Sequence, residues 1–421
     1  MFNKVVLKNG LRLITVPVKN TQAVTVLVLV GTGSKYETKR LNGISHFLEH
    51  MFFKGTKKRP TPLKVAETLD KVGGVYNAFT SKEFTGFFAK VSQADLDLAL
   101  DWVSDIFLNS KLEEKEIKKE KGVIVEELNM YLDTPVKYID CLWEELLYGD
   151  QPAGWKTIGF RKNIVNFKRK NLLNYLKNHY SALNTVVCVA GNIKNAKLPG
   201  KIQKYFKNLG TKPPQPKIKV IERQNRPRTL LHFKKTDQTH LRLGVRAYDL
   251  FHPRKYAQEI LATLLGGNMS SRLFIEIREK RGLAYYVQTF SELYTDSGYL
   301  VTGAGVPHEA VREVINLILK EYKKISRKKV SSKELKKAKD YLKGTLSLSL
   351  ESSDNKASFY AGQELLTGKI LRPKEKFAKI DEVTPLDIQK VAQYIFRPEK
   401  LNLAIIGPHQ DKAGFQELLK I

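Results

Sequence analysis

Two histidines, His46 and His50, and the intervening Glu49 have the residue types and the spacing of a catalytic metal site. If the segment is helical, the two imidazoles lie one turn apart on the same face and can bind one metal ion. The carboxylate of Glu49 lies beside them and is left free to act as a base on water. This order, H-x-x-E-H, reverses the commoner H-E-x-x-H zinc motif. The alternative is a pair of surface histidines that bind no metal. A third ligand elsewhere in the chain would favour the metal site over this alternative.

The segment that carries these residues is predicted to be a short helix. Asn42 can cap its start, and Gly55 suits the left-handed residue that ends a helix. An apolar stripe at helical spacing is expected to face the core, and its members are Phe47, Leu48 and Met51.

A second predicted helix, over residues 113–131, offers a third ligand, which a catalytic zinc ion normally requires. Glu120 and Glu127 share one part-apolar stripe of this helix with Ile124. Glu126 lies about 100° away on the polar side. We therefore predict that Glu127 is the third ligand. The alternative is that all three glutamates are solvated helix charges.

Length and composition indicate a two-domain globular protein. At 421 residues the chain exceeds what one hydrophobic core usually holds, and its hydrophobic content of 42% and charged content of 27% are ordinary. It shows no apolar run of membrane-spanning length and no signal-peptide core, so we expect a cytoplasmic protein without membrane association. Cys141 and Cys188 provide neither a spaced ligand set nor a disulfide framework.

The net charge of +29 raises the possibility of a nucleic-acid-binding protein. However, the lysines are scattered and have acidic residues among them, as in residues 111–121 and 324–339. Neither an aromatic-interleaved RNA-binding signature nor a zinc knuckle is present. We therefore expect a solvated, lysine-rich surface and no specific nucleic-acid partner, and a basic nucleic-acid-binding protein stays as a rival hypothesis.

The order of predicted elements recurs in two halves, separated by a linker rich in Gly, Pro, Lys and Gln at residues 210–228. A strand at residues 186–190 and another at 401–406 occupy matching places, and each is followed by glycine. We predict an α+β fold formed by tandem duplication, with two similar α/β-sandwich domains at residues 1–209 and 229–421. Each should hold a mixed, largely antiparallel sheet flanked by helices.

The chain contains five motifs in this order: GISHFLEHM (residues 43–51), NAFTSKE (77–83), EKGVIVEE (120–127), SSRLF (270–274) and REKRGLAY (278–285). Together they resemble the pitrilysin family of zinc peptidases, in particular its half-length bacterial members related to the mitochondrial processing peptidase. The resemblance covers essentially the whole chain. A sixth segment, QPAGW at residues 151–155, matches the family's His-Pro-Leu-Gly run only loosely and is expected to alter a loop.

The resemblance implies a zinc-dependent endopeptidase that acts on short or unfolded peptides. It implies one Zn²⁺ per chain held by His46, His50 and Glu127, with Glu49 as general base and Glu120 as support for the ligands. Some members of the family are non-catalytic or partner-dependent subunits. The intact H-x-x-E-H motif argues against that alternative.

The resemblance also implies how substrate binds. A peptide would add as a strand along the edge formed by Asn77, Ala78 and Phe79. Arg278 and Tyr285 match an Arg and a Tyr, seven residues apart, that would hold the peptide carbonyl and stabilise the oxyanion. The family encloses peptides in a chamber of four such domains, so a chain with two of them is expected to form a homodimer.

Overall fold

The structure, a computed structural model, describes residues 2–193 and 197–421. The strands of these residues are β1 (Asn3–Val6), β2 (Arg12–Pro17), β3 (Ala23–Val30), β4 (Val75–Thr80), β5 (Thr85–Ser92), β6 (Thr185–Gly191), β7 (Arg228–Phe233), β8 (Thr239–Arg246), β9 (Tyr286–Leu293), β10 (Gly298–Val306) and β11 (Leu401–Gly407).

The α-helices of the same residues follow in chain order, and a π-helical segment spans Phe274–Glu279. The α-helices are α1 (Ile44–Met51), α2 (Pro62–Asp70), α3 (Leu96–Asn109), α4 (Glu114–Asp133), α5 (Pro135–Tyr148), α6 (Arg161–Asn166), α7 (Arg169–His179), α8 (Leu198–Phe206), α9 (Lys255–Gly266), α10 (Val311–Arg327), α11 (Ser332–Ser349), α12 (Ser353–Thr367), α13 (Pro373–Asp381), α14 (Pro385–Ile395) and α15 (Lys412–Glu417).

The strands form two sheets with the same internal plan. The first has the order β1-β2-β6-β3-β5-β4 and the second the order β7-β11-β8-β10-β9. In each, one pair is parallel, β2 with β6 and β7 with β11, and the other pairs are antiparallel. The second sheet therefore repeats the order β2-β6-β3-β5-β4 of the first. This repetition confirms the predicted α+β fold and its duplicated, mixed sheets.

The central strands β6 and β11 are buried along their whole length, and β3 is buried in all but its first residue. Because helices cover these strands on both faces, their sequences are continuous apolar runs rather than alternating ones. This is why the strand predicted at residues 186–190 agrees closely with β6, which spans Thr185–Gly191.

The chain forms two compact units, and neither is a continuous segment. Unit 1 comprises Met1–Asn129, Lys156–Ile218 and Leu348–Ile370, and unit 2 comprises Met130–Trp155, Lys219–Ser347 and Leu371–Ile421. The predicted linker at residues 210–228 contains one of the points at which the chain passes between the units, and residues 210–225 form neither helix nor strand.

The predicted domains at residues 1–209 and 229–421 differ from these units mainly at two helices. Helix α5, from the first half of the chain, packs on β8 and β11 in unit 2, where Ile139 and Leu142 contact Ala404 and Ile406. Helix α12, from the second half, packs on β3 and β6 in unit 1. The predicted boundaries miss these two helices because both sheets have an apolar face on which a helix can pack. An amphipathic pattern shows that a helix packs on a sheet but not which sheet it packs on.

Helix α1 lies in unit 1 beside β4 and α7. The predicted apolar stripe of Phe47, Leu48 and Met51 is fully buried, and the ring of Phe47 packs edge-on against Phe167. Burial of this stripe turns the polar face with the two histidines away from the core. Within the described residues, no helix is both long and apolar enough to cross a membrane.

Candidate metal centre and active site

Helix α1 begins at Ile44 after Gly43, whose φ of 98° lies in the left-handed region. The carboxylate of Glu37 accepts hydrogen bonds from the backbone N–H groups of Gly43 (2.7 Å) and Ser45 (2.9 Å). The prediction that Asn42 caps the helix was wrong, because its side-chain amide instead donates to Glu37 at 3.0 Å. The carboxyl group of an earlier residue therefore accepts from the N–H groups that a helix N-terminus leaves without a partner.

Helix α1 ends at Met51, four residues before the predicted position at Gly55. Gly55 does adopt a left-handed conformation, with φ 118°, but it closes the turn that follows the helix. A Cβ atom at this position would lie 2.7 Å from the carbonyl oxygen of Pro60, so only glycine fits without a shift. Lys54 lies in this turn.

The structure brings His46, His50 and Glu127 together, and we call these three residues the ligand cluster. One ligand atom from each lies within 4.8 Å of the others. Oε2 of Glu127 is 3.6 Å from Nε2 of His46 and 3.4 Å from Nε2 of His50. Among residues 2–193 and 197–421, no other group of three such side chains has this geometry. Two imidazole nitrogens and one carboxylate oxygen are the donor set of a catalytic zinc site, so the residues present fit the ion.

Helix α4 has Glu126 and Glu127 on different faces, as its periodicity predicts. Glu126 is exposed and accepts a hydrogen bond from Asn129, whereas Glu127 faces the histidines of α1. Glu120 and Ile124, on the same stripe as Glu127, are buried. The ligand role of Glu127 stays a prediction, but its position is the one that role needs.

The ring of His50 is held by Glu120. Nδ1 of His50 lies 2.8 Å from Oε1 of Glu120. Because the carboxylate is an acceptor, Nδ1 carries a proton, and in the neutral ring the lone pair of Nε2 is then directed toward Glu127 and His46. The other oxygen of Glu120 lies 2.6 Å from Nζ of Lys54. This pattern supports the predicted role of Glu120 behind the ligands.

Protonation in the metal-free site follows from these contacts. Burial, together with the charge of His50, lowers the pKa of His46 to about 4. Burial alone would lower the pKa of His50, but hydrogen bonds with Glu120 and Glu127 raise it to about 9. The hydrogen bond with His50 lowers the pKa of Glu127. Burial alone would raise the pKa of Glu120, but His50 and Lys54 hold it below its usual range. Metal binding must therefore release one proton from His50.

Glu49 is held beside the cluster by a residue of the sheet. Its Oε2 accepts a hydrogen bond of 2.5 Å from Oγ1 of Thr80, the last residue of β4. Burial raises the pKa of Glu49. A carboxylate with a raised pKa is suited to taking up a proton and returning it.

The predicted substrate edge is an edge strand. β4 is the last strand of the unit 1 sheet and pairs with β5. Asn77 is exposed, Ala78 is buried, and Phe79 is half-buried with its ring packed edge-on against Phe84. An edge strand presents main-chain N–H and C=O groups to an incoming chain.

Unit 2 contains the predicted pair Arg278 and Tyr285. Arg278 lies in the π-helical segment, and its guanidinium carbon is 5.8 Å from the centroid of the Tyr285 ring and 4.9 Å from that of Phe274. Tyr285 is 76% exposed. The structure therefore brings these two residues together and leaves the tyrosine free to contact a ligand.

Three residues of the site were not predicted from the sequence: Glu37, Lys54 and Thr80. Thr80 lies within the NAFTSKE motif and Lys54 closely follows the histidines, so both stood near the relevant motifs. Glu37 carries no spacing signal, because its contacts depend on a loop that returns to the start of α1.

A helix with the H-x-x-E-H motif, whose histidines meet a glutamate from a second helix, is the architecture of the inverzincin class. Residues 12–158 match the family described as Insulinase (Peptidase family M16), and residues 166–342 match the Peptidase M16 inactive domain. The chain belongs to peptidase family M16. This confirms the resemblance drawn from its motifs.

Relatives of similar length carry zinc protease names. The chain is 36% identical to the uncharacterized zinc protease YmxG of Bacillus subtilis, over 97% of this chain and 98% of that protein. It is 33% identical to an uncharacterized zinc protease of Streptomyces coelicolor, over 96% of this chain and 89% of that protein.

Solved structures share the whole fold. A protease from Helicobacter pylori superposes with a TM-score of 0.90 at 27% identity, covering 97% of this chain and 99% of that one. A chain of complex III2 from Candida albicans, with Inz-5 bound, superposes with a TM-score of 0.87 at 19% identity, covering 100% of both chains. The second likeness shows the fold alone.

Proposed function

We propose that this protein is a zinc-dependent endopeptidase that hydrolyses short or unfolded peptides. The observation that carries the proposal is the convergence of His46, His50 and Glu127, with Glu49 held beside them on the same helix. Membership of family M16 and the zinc protease names of the relatives support it.

In this proposal one Zn²⁺ per chain is held by the ligand cluster. When bound, the ion supplies a Lewis acid that polarises the scissile carbonyl and makes water a better nucleophile at neutral pH. Glu49 takes a proton from the attacking water as the C–O bond forms, and it returns the proton to the leaving amine as the C–N bond breaks. Thr80 fixes one oxygen of Glu49, which leaves the other to handle the proton.

The substrate is proposed to bind as an added strand along Asn77, Ala78 and Phe79. Main-chain hydrogen bonds would give most of the affinity, and they need an extended peptide rather than a particular sequence. This requirement favours short or unfolded substrates over folded proteins. The edge position of β4 supports the proposal.

Arg278 and Tyr285 are proposed to hold the peptide carbonyl and to stabilise the oxyanion. Their proximity within unit 2 and the exposure of Tyr285 support the assignment. We further propose a cytoplasmic homodimer that encloses the peptide. A partner-dependent, processing-peptidase-like subunit is the competing function, and the complete ligand cluster disfavours it.

Metal analysis combined with cleavage of a quenched peptide mixture tests the proposal. Purified protein is expected to bind one zinc per chain and to cleave the peptide mixture. A chelator should abolish cleavage, and added zinc should restore it. A protein that binds no zinc would overturn the assignment. Zinc-loaded protein that cuts only after a second subunit is added would favour the partner-dependent subunit.

A further inference from the structure

We infer that Lys54 is a positioning residue of the metal site, which holds Glu120 in the orientation that fixes the ring of His50. The inference rests on the proposed function, because it takes the ligand cluster to be a zinc site. Lys54 itself touches neither the ion nor the substrate in this account. It acts on the metal through two intervening side chains.

The geometry is a chain of three contacts. Nζ of Lys54 lies 2.6 Å from Oε2 of Glu120, and Oε1 of the same carboxylate lies 2.8 Å from Nδ1 of His50. Each oxygen of Glu120 thus has a partner of its own. The Glu120 side chain is only 4% exposed, while that of Lys54 is 25% exposed.

The contact with Lys54 stabilises the charge of Glu120 because the Glu120 carboxylate is buried. A carboxylate removed from water is costly unless a cation and hydrogen bonds compensate it. If the ammonium is removed, Oε2 of Glu120 loses this partner, and the carboxylate can rotate about its last bond. Rotation would loosen the hydrogen bond that orients His50 and would misplace Nε2, the atom that faces the ligand cluster.

The backbone fixes the lysine close to the ligand it supports. Lys54 lies in the turn directly after α1, four residues beyond His50, and Gly55 closes that turn against the carbonyl of Pro60. The same short segment therefore carries two ligands, the proposed base and the cation that supports one ligand.

The test measures zinc affinity by competition with a chromophoric chelator, so it does not depend on activity. Lys54→Met is expected to weaken zinc binding about tenfold, the lower end of the effect of outer-shell partners. Lys54→Arg should restore most of the affinity, because a guanidinium can also donate to Glu120. Lys57→Met is the control, since it removes a nearby exposed lysine.

A double-mutant cycle shows whether Lys54 acts through Glu120. In a Glu120→Gln background, adding Lys54→Met should change zinc affinity less than about twofold. Thermal unfolding of the metal-free variants checks that each is folded. If Lys54→Met did not fold, the cycle would be run with Lys54→Gln.

The outcomes separate the inference from the proposed function. Wild-type protein without stoichiometric zinc would remove the proposed function and the inference with it. Zinc-binding wild type with unchanged affinity in Lys54→Met would overturn the inference alone. Tighter binding in Lys54→Met would also overturn it, because it would show that the ammonium mainly repels the dication.

Discussion

The hydroxyl of Thr80 donates a 2.5 Å hydrogen bond to Oε2 of Glu49, and this bond joins helix α1 to the edge strand β4. Thr80 directly follows Phe79, the last residue of the proposed substrate edge. The group proposed to move the proton and the strand proposed to hold the peptide are therefore linked by one side-chain contact. Ordering of β4 by a peptide would also order the base.

Removing this hydroxyl should reduce turnover more than binding. Thr80→Val keeps the shape of the side chain but loses the donor, so we expect kcat to fall about 10- to 100-fold because the base is misoriented. KM should change less than about threefold. Thr80→Ser, which keeps the donor, is the matched control. Full turnover in Thr80→Val would show that Glu49 needs no such support.

Neighbouring glutamates on α4 should differ sharply in metal binding. Glu127→Gln is expected to lose most bound zinc, because a neutral amide is a poor ligand beside two imidazoles. Glu126→Gln, one residue away and exposed, should keep zinc and activity. Metal analysis of both purified variants makes the comparison, and equal zinc contents would contradict the assignment of Glu127.

The carboxyl of Glu37 should make stability depend on pH. Burial raises its pKa from 4.5 to about 7, against the opposing hydrogen bonds at the start of α1. Between these values the folded protein keeps a proton that the unfolded chain has released, so stability falls as pH rises through this window. The loss should be on the order of 3 kcal/mol and should level off above about pH 7.

Glu37→Gln provides the control for this effect, because an amide cannot ionise. Thermal unfolding from pH 5 to pH 8 should show wild type losing stability relative to the variant up to about pH 7. The difference between the two should then stay constant. Parallel curves over the whole range would mean that Glu37 ionises normally in the folded protein.

N-methylated peptides can test the edge-strand mode of binding. An added strand forms hydrogen bonds with β4 through every second residue. N-methylation of those residues should therefore raise KM, and N-methylation of the residues between them should not. Each lost bond should cost about 1 kcal/mol, roughly a fivefold rise in KM. A uniform effect along the peptide would argue for recognition by side chains instead.

The members of the ligand cluster were predictable because their choice rests on spacing within single helices. The spacing of His46 and His50 needs only a helix, and the stripe that separates Glu127 from Glu126 needs only another. The contacts of Glu37 and Thr80 arise where a loop and a strand return to α1, and the contact of Lys54 arises where Glu120 of α4 meets the turn after α1. Those contacts depend on tertiary structure and leave no periodic trace in the sequence.

The strands at residues 186–190 and 401–406 were predictable because they are continuously apolar, whereas the place of helix α12 was not. Helix α12 packs through small residues, Ala357 and Ala361, so it lacks a strong stripe of large aliphatic side chains. Helix α14 did carry a sequence signal, since Thr384 and Asp387 form a capping box at its start. The exchange of α5 and α12 between units could not be read from periodicity at all.

The most direct test that Glu49 is the general base of a zinc peptidase compares wild type with Glu49→Gln. Both proteins are loaded with zinc, and cleavage of a quenched peptide mixture is measured. We expect equal zinc contents and a fall in kcat of at least about 100-fold in the variant, because the general base is lost while His46, His50 and Glu127 are intact. A zinc-loaded Glu49→Gln protein that turns over like wild type would contradict it.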